Sequence, residues 1–136
     1  MTVSVETAQA FLDENFAEWV LALKPVVQTM DQSGATLTME ITPALARVGG
    51  IVSGQALAAL ADTAMVIACG GCLGEFRPVA TTNLDTQFLR PGTGDRIRCE
   101  AQIVKPGRAL IFLRADLYAE PSNKLIATAT GTFFVV

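Results

Sequence analysis

The chain has 136 residues, 51% of them hydrophobic and 17% charged, with a formal charge of −3. That length gives one domain, residues 1–136, with a sizeable core and no room for a second. Lys and Arg do not cluster, which argues against nucleic acid as a partner. Histidine is absent, which excludes Ser-His-Asp and Cys-His catalysis, His-ligated zinc and an imidazole base.

Met1 to Glu6 lacks a basic start and Asp13, Glu14 and Glu18 follow, so no signal peptide is expected. Three cysteines, an odd number, then fit reduced thiols in a cytoplasm. The apolar richness suggests that a second subunit covers part of the surface.

Ser4 is a helix cap. Ala8, Phe11, Leu12, Phe16, Trp19, Val20 and Leu23 recur at three- and four-residue spacing up to Pro25, which predicts an amphipathic packing helix over about 4–24, followed by a core over about 26–136. Val26–Met30 is a short strand and Asp31-Gln32-Ser33-Gly34 a turn. Thr36–Thr42 alternates as a strand with Leu37, Met39 and Ile41 inward. Pro43 to Gly50 is a loop. Gly49-Gly50-Ile51-Val52-Ser53-Gly54-Gln55 then delivers the backbone into the apolar run Ala56–Cys69. That run is apolar all round and therefore reads as a buried helix. It is too short for a membrane span and has Asp62 in its middle. Gly70-Gly71 is expected to stop it.

From Val79 the pattern is β to the end. Val79–Leu89 places Leu84 and Phe88 on one face, able to meet the core, and is polar on the other. Arg96–Val104, Ala109–Ala119 and Leu125–Val135 follow, with Lys105-Pro106-Gly107-Arg108 as a tight hairpin. Short connections make these strands antiparallel. One sheet must bury its apolar face, and the helix over 54–69 is the one apolar enough to receive it. The expected class is α+β: a hotdog fold, an antiparallel sheet wrapped around a long central helix, with an N-terminal helix in addition.

Between Arg47 and Glu75 the single carboxylate is Asp62. A buried ionised carboxylate is costly unless paired or hydrogen-bonded. The structural alternative is a carboxylate bonded to strand backbone or to Thr63.

Ser53-Gly54-Gln55 with Leu60-Ala61-Asp62-Thr63-Ala64 resembles the signature of the PaaI-like acyl-CoA thioesterases of the hotdog superfamily, in which His-Gly-Gly opens the helix and Leu-Ala-Asp-x-Ala follows. Phe88-Leu89-Arg90-Pro91-Gly92 with Gly94-Asp95, then Lys105–Arg108, then Ala127–Phe133 resemble that family's later landmarks in order. The resemblance implies thioester hydrolysis by water, with Asp62 as general base or nucleophile and the Gly54 backbone N–H polarising the carbonyl. It also implies a hydroxyl at Thr81 that assists the water. The family His is Ser53 here, the second Gly is Gln55, and a loop Asn falls at Arg47; these three positions are expected to contact substrate.

Physics supports the Gly54 and Asp62 roles. A helix N-terminus offers free N–H groups and a favourable dipole to developing negative charge. A carboxylate in an apolar site gains basicity. Gly54 and Asp62 lie eight residues apart on one helix, roughly 12 Å along its axis. One thioester cannot touch both, so the site needs two copies of the chain about a two-fold axis, in a homodimer or a homotetramer built as a dimer of dimers.

Arg90, Lys105 and Arg108 are candidates for the anionic phosphates of coenzyme A; the alternative is ordinary solvated charge. Cys69-Gly70-Gly71-Cys72 invites a redox or metal reading, but a helix C-terminus opposes thiolate and further ligands are lacking. No metal or organic cofactor is expected beyond the coenzyme A of the substrate. The second hypothesis is a protein that binds acyl-CoA with slow or no turnover; a hotdog dehydratase is disfavoured by the missing His.

Overall fold

The computed structural model of the chain describes residues 3–136. Helix α1 (Val5–Asn15) opens on a reciprocal cap: Ser4 Oγ accepts from the Thr7 N–H and Thr7 Oγ1 accepts from the Ser4 N–H. The expected single helix over about 4–24 is in fact two. Phe16 and Ala17 are extended, and a short α2 (Glu18–Leu21) follows. The break has no Pro or Gly; it folds the Phe16 ring edge-on to Phe11, centroids 6.2 Å apart. Because of the break, only Ala8, Leu12 and Leu23 of the expected stripe are fully buried, and Trp19 is 61% exposed.

The chain then forms β1 (Val26–Met30) and β2 (Gly34–Glu40), a 3-10 turn at Pro43–Leu45, the small strand pair β3 (Ala46–Arg47) and β4 (Ile51–Val52), and the long α3 (Gly54–Leu73). Strands β5 (Val79–Phe88), β6 (Arg96–Pro106), β7 (Leu110–Glu120) and β8 (Lys124–Val135) complete it. Six strands make one antiparallel sheet in the order β1-β2-β6-β7-β8-β5. Its inner face supplies Leu37, Met39, Ile97, Cys99, Ile111, Leu113, Leu117, Ile126 and Phe133, all buried against Leu57, Leu60, Met65 and Ile67 of α3. This is the hotdog arrangement expected from the pattern. Among the described residues α3 is the one helix long and apolar enough to cross a membrane, and 72% of that stretch is buried in the fold.

Gly70 and Gly71 do not stop α3, which runs to Leu73 and ends at Gly74 in the left-handed conformation. They are sites of close approach instead. A Cβ at Gly70 would overlap the Phe76 ring, and one at Gly71 would overlap the Asp31 carbonyl. The pair thus lets the last turns of the helix lie against neighbouring chain, at the cost of weak helix propensity.

The two sheet edges differ. At β1 the Gln9 side chain donates to Pro25 O at 3.1 Å and accepts from Val27 N–H at 2.8 Å, so α1 caps that edge as a strand would. At β5 none of the described residues does so. Most of β5 is exposed, and Phe88, expected to face the core, is 54% exposed.

Candidate active site

Asp62 sits just over two turns into α3 and is half-buried. Its Oδ1 accepts from Thr81 Oγ1 at 2.8 Å. Burial raises its pKa above the ordinary 3.8, and the Thr81 hydrogen bond opposes the rise. The alternative partner, Thr63, is engaged elsewhere: its hydroxyl donates to Ala59 O at 2.7 Å. Asp62 is therefore held by one hydroxyl from β5 and otherwise faces a cavity of about 500 Å³ lined by Phe11, Phe16, Trp19, Val20, Val66 and Thr81.

Gly54 is the first residue of α3. Ser53 caps the helix, its Oγ accepting from the Ala56 N–H at 3.2 Å. The Leu57 N–H is taken by Ser53 O. Among the described residues no acceptor meets the N–H of Gly54 or Gln55. These are free donors at a helix N-terminus, the arrangement that favours an anion. The Phe88 ring lies over Gly54, and a Cβ there would come within 3.2 Å of Cζ. Gly54 opens on a second cavity, of about 430 Å³, shared with Arg47, Leu57, Phe88 and Arg90.

Within one chain, then, the two key groups face different cavities. Strand register fixes which expected residues accompany each. Thr81 lies in the row of Phe133, Ile111 and Pro106, so Lys105 and Arg108 belong to the Asp62 end of the sheet. Phe88 lies in the row of Ala127, Leu117 and Cys99. Arg90 and Arg47 therefore belong to the Gly54 end, and one chain does not gather the three basic residues into a single patch. Arg90 donates through Nη1 to Leu125 O at 2.8 Å and also borders a depression of about 520 Å³ that Lys124 shares. Gln55 is exposed beside Gly54.

Cys69 and Cys72 lie in the last two turns of α3; burial pushes the Cys69 thiol up to about 12 and raises that of Cys72 as well. Cys99 is buried and also raised. Thiols so protonated are poor nucleophiles and poor ligands. Among the described residues no group of three His, Cys, Asp or Glu side chains is placed to hold a metal.

An antiparallel sheet wrapped around a long central helix defines a hotdog protein. The thioesterase superfamily model matches residues 49–126, more than half of the chain, and the chain belongs to that superfamily. Its fold is that of a thioesterase from Haemophilus influenzae (TM-score 0.87, 22% identity, over 100% of this chain and 92% of that one). It is likewise that of the PaaI protein of Escherichia coli from the phenylacetic acid degradation operon (0.83, 23%, 96% and 91%). A thioesterase family protein from Silicibacter pomeroyi aligns with TM-score 0.84 at 24% identity over 96% of both chains. No curated protein sequence matches significantly. The PaaI-like hotdog resemblance of the sequence thus holds at the level of family and fold.

Sequence reasoning missed the wall of the Asp62 cavity. Phe11, Phe16, Trp19 and Val20 were expected only to pack. The signal available was the surplus of large apolar residues around the helical wheel, more than one buried stripe accommodates.

Proposed function

We propose that the protein hydrolyses acyl-CoA thioesters in a site shared between two copies of the chain. Asp62 takes the proton of a water attacking the thioester carbonyl, or attacks that carbon itself. The Gly54 N–H of the partner receives the negative charge that develops on the carbonyl oxygen. In the first route the C–S bond breaks and coenzyme A leaves as a thiol with the proton Asp62 took from the water; in the second it leaves as a thiolate that solvent protonates, and water then hydrolyses the mixed anhydride on Asp62 to release the acid. Thr81 orients the carboxylate and stands within reach of the water. No cofactor or metal takes part.

The observation that carries this reading is the contrast between Asp62 and everything around it. It is a half-buried carboxylate with one hydroxyl partner, facing a cavity, on the helix whose Gly54 and Gln55 N–H groups meet no acceptor among the described residues. The dimer follows from two further features. Strand β5 presents a ten-residue unpaired edge, a template for another strand. Gly54, Ala58, Ala59, Asp62 and Val66 form a half-buried stripe along α3 beside that edge. Two β5 edges joined antiparallel about a two-fold axis would bring the Gly54 end of one chain to the Asp62 end of the other. Arg47 and Arg90 of one copy would then meet Lys105 and Arg108 of the other, a basic surround suited to coenzyme A phosphates. Ser53 supports the site as the cap that orients the Gly54 N–H, with Gln55 beside it at the substrate.

The test is hydrolysis of a panel of acyl- and aroyl-CoA thioesters by the wild type and by Asp62→Asn. Turnover by the wild type alone supports the reading. Equal rates for the two overturn it. Thermal stabilisation by acyl-CoA with no cleavage by either would instead mark a binding protein.

A further inference from the structure

Phe88 ends β5 and buries little: it is 54% exposed, whereas Phe133 of β8 is fully buried. Hydrophobic burial therefore does not account for its position. Its ring is nevertheless aimed at one place. A Cβ built on Gly54 would stand 3.2 Å from Phe88 Cζ and 3.5 Å from both Cε1 and Cε2, so the ring points tip-first at the Gly54 Cα. The chain on either side of this contact is tied down. The Leu89 and Arg90 N–H groups both donate to Ile126 O, at 2.8 and 3.2 Å. The Val52 N–H donates to Gly92 O at 3.0 Å, and the Ser53 N–H to Leu45 O at 2.9 Å. The segment from Phe88 to Gly92 is thus fastened both to β8 and to the residues that lead into Gly54.

Resting on the hydrolytic reading, we infer that Phe88 is a positioning residue for the Gly54 N–H. Glycine at the first helical position has no side chain to hold its peptide plane. The Ser53 cap bond goes to the Ala56 N–H, one turn further in, and not to Gly54. The Phe88 ring supplies the missing restraint from the Cα side. It also keeps water off that flank, and a donor aimed at developing charge acts more strongly where water is excluded. The same contact ties position 54 to glycine, because the methyl of an alanine would meet the ring. Phe88 thus acts on the reaction through Gly54 and not through the acyl group.

The test is a mutant cycle. Phe88→Ala, Phe88→Met, Gly54→Ala (which keeps the N–H) and the double variant Gly54→Ala/Phe88→Ala are assayed with acetyl-, hexanoyl- and benzoyl-CoA, and each is sedimented. Phe88→Ala should lower kcat about tenfold, a fraction of the roughly 10²–10³ that a whole oxyanion donor is worth. The factor should be the same for all three substrates, with KM little changed. Phe88→Met, long enough to reach Gly54, should keep most of the rate. Gly54→Ala should lose a similar factor because its methyl displaces the ring, so the double variant should be no slower than either single one. Phe88→Val, suited to a strand end but too short to reach Gly54, repeats the comparison where Phe88→Ala does not fold. Losses that multiply in the double variant overturn the inference, as does a Phe88→Ala as fast as the wild type. A factor that differs among the three acyl groups overturns it by making Phe88 a substrate contact. Sedimentation of Phe88→Ala as a smaller species than the wild type overturns it by making Phe88 an interface residue. Failure of the hydrolytic reading is separate: it shows as full activity in Asp62→Asn or as a wild type that cleaves none of the three.

Discussion

At the scale of single residues the proposed chemistry turns on Asp62. Burial raises its pKa above 3.8, so the folded chain holds that proton more tightly than the unfolded chain does. Ionisation therefore costs stability above the folded pKa, and the cost disappears as the pH falls below 3.8, where both states are protonated. Asp62→Asn can still accept from Thr81 and carries no such cost. It should raise the Tm by a few degrees at neutral pH, with the gain vanishing in acid, as thermal melts across pH would show. The same substitution should lower kcat by roughly 10²–10⁴, the usual worth of a positioned base. Wild-type kcat/KM should fall with decreasing pH at a midpoint above the ordinary carboxylate value. Thr81→Val removes the donor that favours the ionised form. It should move that midpoint to higher pH and slow the reaction about tenfold, since a hydrogen bond to a charge is worth about 1.5–3 kcal/mol. Asp62 was legible in the sequence because it is a lone charge in an apolar helix. Its contact with Thr81 was legible only through family resemblance, because no spacing rule links a helix residue to a strand 19 positions on.

At the scale of elements the period-two and apolar-run signals carried most of the fold. Strand β1 matches its expected bounds, and β2, β5, β6, β7 and β8 match theirs within a few residues. The sequence-based reading failed where tertiary contact overrides local preference. Gly70-Gly71 read as a stop because glycine favours helix ends, yet Phe76 and the Asp31 carbonyl need the missing Cβ. Gly70→Ala should therefore destabilise the protein by about 1–3 kcal/mol despite better helix propensity, measurable by denaturant unfolding. The break at Phe16–Ala17 was invisible because neither residue is a helix breaker; at the break Phe16 packs edge-on to Phe11, a contact no spacing rule announces. Phe88 was misplaced for a similar reason. Its ring lies over Gly54 at the helix start, where strand alternation alone does not put it.

At the scale of the whole molecule, the proposed function makes one chain the holder of two incomplete halves of a site. Among the described residues the Asp62 cavity has a carboxylate and none of the N–H donors of the helix start, whereas the Gly54 cavity has those donors and no carboxylate. The chain should therefore be at least dimeric in solution, as sedimentation would show, and the shared site can be tested by complementation. Gly54→Pro deletes the proposed donor N–H at the first helical position, where proline is favoured, and Ser53 at φ −65°, ψ 147° suits a following proline. Gly54→Pro and Asp62→Asn should each be nearly inactive alone. Co-refolded in equal amounts, they should recover about a quarter of wild-type activity, because half of randomly paired dimers are mixed and each mixed dimer contains one intact site. A mixture no more active than its parents, although mixed dimers have formed, would contradict the shared site.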